Sequence, residues 1–200
     1  MRTGTVAAER MSGQSHPAGA VGVGTVLAAR ELTTVDGKRL RIPDPEWLTH
    51  LQFRRFAGCP ICNAHLRTVS RRHDEIRAAG IREVVLFHSS AQDLHSYLEQ
   101  MPFAVVADPD KRIYREFGVE SSARAVLDPR SWPAGFRGSI GKQRPWAADH
   151  HTGHLGLPAD FLLARDGRVL AAKHGVHAYD QWSIDQLLAL SAQEHAGRPG

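Results

Sequence analysis

The chain has 200 residues, 42% of them hydrophobic and 23% charged, which is enough for one globular domain with a sizeable core. Its formal net charge of +4 comes from arginines scattered among acids, and no basic block or nucleic-acid motif accompanies it, so we expect no nucleic-acid partner. The longest apolar runs are only strand-sized, which excludes a membrane span and predicts no membrane partner. No apolar signal segment follows the first residues, so we expect a cytoplasmic protein.

Residues 1–24 are rich in glycine, alanine and serine and show no apolar period, which predicts a flexible N-terminal leader before a single domain at 25–200. The segment 32–42 has partial alternation around Asp36-Gly37, which predicts a β-hairpin. Residues 48–56 then form a short strand that leads directly into Cys59.

The only two cysteines, Cys59 and Cys62, lie three positions apart where this strand gives way to a helix that we expect to end near Gly80. One apolar stripe of that helix begins at Cys62 and continues through Leu66, Val69, His73 and Ile76. Pro60 is suited to the first helical position, which places Cys59 at the helix N-terminus. Free N–H groups and the helix dipole stabilise a thiolate there, so we expect Cys59 to ionise more easily than a free cysteine.

The next part of the chain alternates strands with helices. A buried parallel strand is predicted at 83–88, a helix begins after Ser90, and a second strand covers 103–107. Asp108-Pro109-Asp110 caps a short helix that ends at Gly118, and another short helix covers 124–128.

Residues 129–156 lose all periodicity and predict a long irregular insertion. Strands at 158–164 and 168–172 then flank Asp166-Gly167, and Asp180 caps a last amphipathic helix. This order of elements predicts an α/β sandwich with a mixed sheet.

Three interpretations of the cysteine pair are open. Two buried packing thiols need neither Pro60 nor a helix start, whereas a dithiol redox site uses both. A metal site is the third, because two thiolates with imidazoles from His150, His151 or His154 would complete a Cys2His2 zinc site.

Three motifs in this order resemble the peroxiredoxin-like group of thioredoxin-fold proteins, the relatives of alkyl hydroperoxide reductase and thiol-specific antioxidant (AhpC/TSA). They are the Cys-Pro-x-Cys motif after a strand, the Asp108-Pro109-Asp110 segment between strand and helix, and residues 157–163 before the Asp166-Gly167 turn. The resemblance covers about residues 25–195 and implies a thioredoxin-like three-layer α/β/α sandwich.

The resemblance also implies a function. Cys59 would be the attacking thiolate of a thiol peroxidase or thiol-disulfide oxidoreductase, and Cys62 the thiol that closes the disulfide. Pro158 would be a cis-proline beside the cysteines, Pro60 and Arg124 would support the site, and no cofactor is required. The substrate would be a hydroperoxide or a disulfide, and the reductant a thioredoxin-like protein or a low-molecular-weight thiol; a homodimer is compatible with the sequence.

The chain departs from the family's peroxidase pattern at two positions. Typical members carry a proline seven residues and a threonine three residues before the reactive cysteine, where this chain has Gln52 and Phe56. The departure moves the motif towards the thioredoxin type. For the arginine that would accompany the sulfur, Arg124 is the first candidate, followed by Arg54 and Arg55.

The alternative function is a non-catalytic thioredoxin-fold binding module, with the cysteines holding metal.

Overall fold

The computed structural model describes residues 21–96, 101–119 and 156–197. The predictions for residues 1–20, for the helix at 124–128 and for most of the insertion fall outside these ranges. The elements, in chain order, are β1 (Arg30–Thr33), β2 (Arg39–Ile42), β3 (Leu48–Arg54), α1 (Pro60–Arg71), α2 (His73–Ala78), β4 (Ile81–Phe87), α3 (Ala91–His95), β5 (Ala104–Ala107), α4 (Arg112–Glu116), β6 (Ala159–Leu163), β7 (Val169–His174) and α5 (Ile184–Ala196).

The central sheet has five strands in the order β5-β4-β3-β6-β7. Strands β3, β4 and β5 are parallel, while β6 runs antiparallel to both β3 and β7. The hairpin β1-β2 forms a separate antiparallel pair, as the Asp36-Gly37 turn predicts. The sheet is therefore mixed, with its parallel half built from the segment that carries the cysteines.

Apolar side chains cover both faces of the sheet. On one face, Val69 of α1, Ile76 of α2 and Leu187 of α5 pack against the sheet. On the other face, Tyr114 of α4 and Leu40 of the hairpin join a second cluster. Helices on both sides of a mixed sheet make a thioredoxin-like three-layer sandwich, which confirms the predicted fold class.

Helix α1 confirms the predicted stripe. Cys62, Leu66 and Val69 are buried along it, and Ile76 continues it in α2. The predicted single helix is divided, however, because Arg72 leaves helical geometry at φ −107° and ψ 19°. Gly80 follows α2 with a φ of +74°, a conformation that glycine adopts readily after a helix.

Several predicted boundaries move. Strand β3 ends at Arg54 instead of residue 56. Helix α5 is capped by Ser183, not Asp180, because Ser183 and Gln186 form a reciprocal capping box at the required spacing of three. Asp180 instead accepts the N–H of Val176 at 2.9 Å and pairs with Lys173. Asp108 does cap α4 as predicted, since its carboxylate accepts three N–H groups of the helix, at Arg112, Ile113 and Tyr114.

The first described residues already belong to the domain, although the sequence assigned them to the leader. Val21 is buried in the core, and the N–H of Gly24 donates to the carbonyl of Val169 at 2.9 Å.

No helix within residues 21–96, 101–119 and 156–197 is both long enough and apolar enough to cross a bilayer.

Candidate active site

The cysteines lie just beyond the carboxyl end of β3. Cys59 is the N-cap of α1, and Pro60 is its first residue, as predicted. The sulfurs are 2.9 Å apart, with the S–H of Cys62 directed at Cys59 Sγ. Both residues are buried, at 0% and 1% exposure, and they pack against Phe56 and Ile61. The spacing leaves the two sulfurs ready to join, and the burial shields Cys59 from solvent.

Three donors surround the sulfur of Cys59. The backbone N–H of Cys62 donates to it at 3.4 Å, and the S–H of Cys62 is the second donor. The third is the guanidinium of Arg55, whose Nη1 lies 3.6 Å away. The arginine near the sulfur is thus Arg55, which the sequence ranked below Arg124. Arg124 itself lies outside the described residues.

These contacts determine which thiol ionises first. Burial raises the pKa of Cys59, but the hydrogen bond from Cys62 and the charge of Arg55 lower it by more, so the pKa of Cys59 falls to about 7. Burial raises the pKa of Cys62 well above its ordinary value, and the neighbouring Cys59 raises it further. Cys59 is therefore the thiol that ionises first, near neutral pH, and Cys62 stays protonated as its donor.

Backbone and side-chain contacts hold the segment after β3 that carries Arg55. The N–H of His88 donates to the Arg55 carbonyl at 3.3 Å, which continues the pairing of β3 with β4. The N–H of Ala57 donates to Ser89 Oγ at 3.0 Å. The ring of Phe56 lies 5.3 Å from the Arg55 guanidinium. Phe56 thus occupies the family's threonine position as an apolar support for this arginine.

A buried polar network lies below the cysteines, on the face of β3 that meets α1. The N–H groups of Arg54 donate to Asp160 Oδ1 at 2.6 Å and to Gln52 Oε1 at 2.5 Å. His50 lies between two carboxylates, with Nδ1 at 2.8 Å from Glu83 Oε2 and Nε2 at 3.2 Å from Asp160 Oδ1. Gln52 also donates to Glu83. All five residues are at most 2% exposed, so their charges must be balanced within the protein.

The network is electrically neutral. Burial lowers the pKa of His50, but the nearby Glu83 and Asp160 raise it by more, to about 9. Burial opposes ionisation of Asp160, yet the charge of Arg54 and the hydrogen bond with His50 hold the pKa of that carboxyl well below its usual range. Two cations, Arg54 and protonated His50, therefore balance the carboxylates of Glu83 and Asp160.

His65 links this network to the cysteine helix. It lies on α1 with Nε2 at 3.4 Å from Arg54 Nη2, and it is buried. Burial lowers its pKa to about 3, and the charge of Arg54 acts in the same direction. His65 is therefore a neutral acceptor at physiological pH.

The sequence did not identify this network. The one available signal was alternation within the strand, because His50, Gln52 and Arg54 occupy every second position and must share a face. Their partners Glu83 and Asp160 come from strands 31 and 108 positions away from Gln52, so only the sheet brings them together.

The prediction for Pro158 is wrong in one respect. The cis X-Pro bond among the described residues is Ile42-Pro43, so the Leu157-Pro158 bond is not cis. Pro158 precedes β6 and packs on Gly175, whose N–H donates to its carbonyl at 2.8 Å. Its predicted place beside the sulfurs stays a prediction.

The histidines proposed as zinc ligands lie outside the described residues, and the described part of the chain contains no group of three metal-ligating side chains.

A mixed sheet, a dithiol at a helix N-terminus and an arginine beside the first sulfur define a thioredoxin-fold thiol redox protein. The sequence model described as AhpC/TSA antioxidant enzyme matches residues 68–176, more than half of the chain. The chain belongs to this family. The match confirms the resemblance and the predicted class of thiol-dependent redox enzyme. The matched range begins after Cys62, so it does not include the two cysteines. Among curated proteins, no match was found.

Solved structures show the same fold at low sequence identity. Peroxidoxin BcpB from Mycobacterium tuberculosis is 15% identical, with 89% of this chain and 99% of that chain covered and a TM-score of 0.60. A cysteine-to-serine mutant of peroxiredoxin 6 from Arenicola marina is 15% identical, with 90% and 76% covered and a TM-score of 0.65. The bacterioferritin comigratory protein of Xanthomonas campestris is 18% identical, with 87% and 99% covered and a TM-score of 0.61.

The contribution of Arg55 can be measured directly. We expect the Arg55→Met substitution, made in a Cys62→Ser background, to raise the pKa of Cys59 relative to Cys62→Ser alone, because the thiolate loses its neighbouring cation. The measurement is the ultraviolet absorbance of the thiolate against pH in a Cys62→Ser background, and Arg71→Met, on the exposed end of α1, is the matched control. An unchanged titration in Arg55→Met would show that the helix N-terminus alone stabilises the thiolate.

Proposed function

We propose that this chain is a thiol peroxidase that reduces small hydroperoxides through Cys59, with Cys62 as the resolving thiol. The observation that carries the proposal is the environment of Cys59 Sγ, which combines three donors, a pKa of about 7 and complete burial. Burial favours a reactant of a few atoms over a protein disulfide.

The first step is attack of the Cys59 thiolate on one peroxide oxygen. The S–O bond forms as the O–O bond breaks, which gives a sulfenic acid on Cys59 and an alkoxide or hydroxide that takes up a proton. The guanidinium of Arg55, 3.6 Å from Cys59 Sγ, would donate to the peroxide oxygens as negative charge moves onto the leaving group.

The second step follows from what raises the pKa of Cys62. Besides burial, the thiolate of Cys59 raises that pKa, and this charge is gone once Cys59 is a sulfenic acid. Cys62 then ionises more easily and attacks the sulfenic sulfur, which forms the S–S bond and releases water. Oxidation of Cys59 thus activates the thiol that resolves it. The sulfurs begin 2.9 Å apart, so little movement is needed.

An external thiol completes the cycle. A thioredoxin-like protein or a low-molecular-weight thiol would attack the disulfide, pass through a mixed disulfide and leave as the oxidised partner. Burial of both sulfurs means that this attack needs local opening of the helix N-terminus. We place the reaction in the cytoplasm, where such reductants keep thiols reduced. The division into leader, domain and insertion is part of the same proposal, with the domain beginning by the buried Val21. A homodimer is also part of it.

Thiol–disulfide exchange is the second candidate, since a proline between the two cysteines and a sulfur pair in contact suit that reaction as well. The discriminating experiment compares the rates at which the reduced protein reacts with hydrogen peroxide, a bulky organic hydroperoxide and a protein disulfide. We expect hydrogen peroxide to oxidise this protein orders of magnitude faster than it oxidises a free thiol. We expect the protein disulfide to react with this protein no faster than with a free thiol. The reverse order would replace the peroxidase proposal with disulfide exchange.

A further inference from the structure

Arg55 lies just past the point where the pairing of β3 ends. Strand β3 pairs with β6 as far as Phe53 and with β4 as far as Arg54, so Arg55 is beyond both ladders. Its carbonyl accepts the N–H of His88 at 3.3 Å, which is a long hydrogen bond. An arginine side chain has much rotamer freedom, so its guanidinium is held beside a sulfur only where its backbone is fixed. The contact between Arg55 and Cys59 therefore depends on what else anchors this segment.

Tyr114, on α4, supplies such an anchor. Its hydroxyl donates to the carbonyl of Arg54, and that carbonyl belongs to the same peptide group as the backbone nitrogen of Arg55. The carbonyl of Leu86, on the neighbouring strand β4, lies 2.8 Å from the same hydroxyl. One proton is thus shared between β3 and β4, directly before Arg55.

The side chain and the backbone of Tyr114 are themselves held in place. The residue is 4% exposed, and its ring stands edge-on to Phe53 and to His88, with centroids 4.9 and 5.7 Å away. Its N–H donates to a carboxylate oxygen of Asp108 at 3.2 Å. The N–H of Asp108 in turn donates to the carbonyl of the last residue of β4 at 2.8 Å. Asp108, which the thiol chemistry does not use, thereby fixes Tyr114 against the sheet.

The hydroxyl of Tyr114 keeps its proton while Cys59 titrates. Burial raises the pKa of Tyr114 well above its ordinary value, and the charges of Cys62 and Asp108 raise it further. The influence of Cys62 also shows that the hydroxyl lies within electrostatic reach of the thiol pair. Tyr114 is therefore a donor to the Arg54 carbonyl throughout the range in which Cys59 ionises.

We propose that Tyr114 is a positioning residue of the thiol site, because its hydroxyl fixes the peptide group before Arg55 and so directs the guanidinium at Cys59 Sγ. The linkage runs from Asp108 through Tyr114 and the Arg54–Arg55 peptide group to the sulfur. The inference rests on the proposed function in that Arg55 is the donor to peroxide there. The orientation of Arg55 is nevertheless measured by the ionisation of Cys59, which requires no peroxide.

The test is the thiolate titration of Cys59 in the Tyr114→Phe variant, made in the Cys62→Ser background. Phenylalanine keeps the ring contacts and removes only the hydroxyl. We expect the midpoint of the titration to rise by about half a pH unit or more, a fraction of what the loss of a nearby opposite charge causes. When Tyr114→Phe is added to Arg55→Met, we expect no further rise, because the guanidinium through which Tyr114 acts is absent.

Ser191→Ala is the matched control. It also removes a buried hydroxyl that donates to a backbone carbonyl, that of Ala79 at 2.8 Å, just before the opposite end of β4. We expect it to lower the midpoint of urea denaturation about as Tyr114→Phe does and to leave the titration of Cys59 unchanged.

Three results would overturn the proposal. They are an unchanged Cys59 titration in Tyr114→Phe, an equal rise when the substitution is made in Arg55→Met, and an equal rise in Ser191→Ala. Peroxidase activity does not enter these measurements, so their outcome is separate from that of the peroxide experiment.

Discussion

The Cys59→Ser variant is expected to lose the rapid oxidation by peroxide, with its rate falling to that of an unactivated thiol. Cys59 is the nucleophile of the proposed reaction, and removal of a catalytic nucleophile costs an enzyme several orders of magnitude in rate. The hydroxyl of serine cannot replace it, since the low pKa that Arg55 and the helix N-terminus produce belongs to the thiol. The measurement is stopped-flow tryptophan fluorescence after mixing with hydrogen peroxide, checked by intact mass.

The Cys62→Ser variant is the matched control, because it removes the other sulfur of the same pair. We expect it to react with the first equivalent of peroxide and to stop at a sulfenic acid on Cys59, which a dimedone adduct would reveal. A disulfide cannot then form within the chain. Normal turnover by Cys59→Ser, or a sulfenic acid on Cys62, would reverse the proposed roles.

The second large effect is expected at Asp160. The Asp160→Ala variant would leave Arg54 and protonated His50 buried without their shared carboxylate. It would also remove the acceptor of the backbone N–H of Trp182. Breaking a buried ion pair by removing one partner costs ~3–5 kcal/mol, so the free energy of unfolding should fall by that amount. Urea denaturation followed by circular dichroism measures it.

Two further variants support the Asp160 experiment. Asp166→Ala, in the exposed turn after the same strand, should change the free energy of unfolding by no more than about 0.5 kcal/mol. Asp160→Asn keeps the shape and some hydrogen bonds and gives a smaller loss that can be measured if the alanine variant does not fold. A loss for Asp160→Ala no larger than that of the surface control would show that water or rearrangement satisfies Arg54 and His50.

The local features of the cysteine site could be predicted from the sequence because they depend on neighbouring residues. Cys59 and Pro60 are adjacent, and the positions of an N-cap and a first helical residue follow from backbone geometry alone. The spacing from Cys62 to Ile76 likewise follows from the period of the helix. Apolar strands separated by helices indicated the mixed α/β sandwich for the same reason.

Only the tertiary structure decided which distant side chains join this site. Arg54 and Arg55 are neighbours in sequence, yet consecutive residues at the end of a strand point in opposite directions. One therefore enters the buried network with Asp160, and the other reaches Cys59. The balance of charge around His50 depends on register across three strands, which a single sequence does not display. The sequence by itself thus determined the thiol pair and its helix, whereas packing of the sheet decided the electrostatic surroundings that lower the pKa of Cys59.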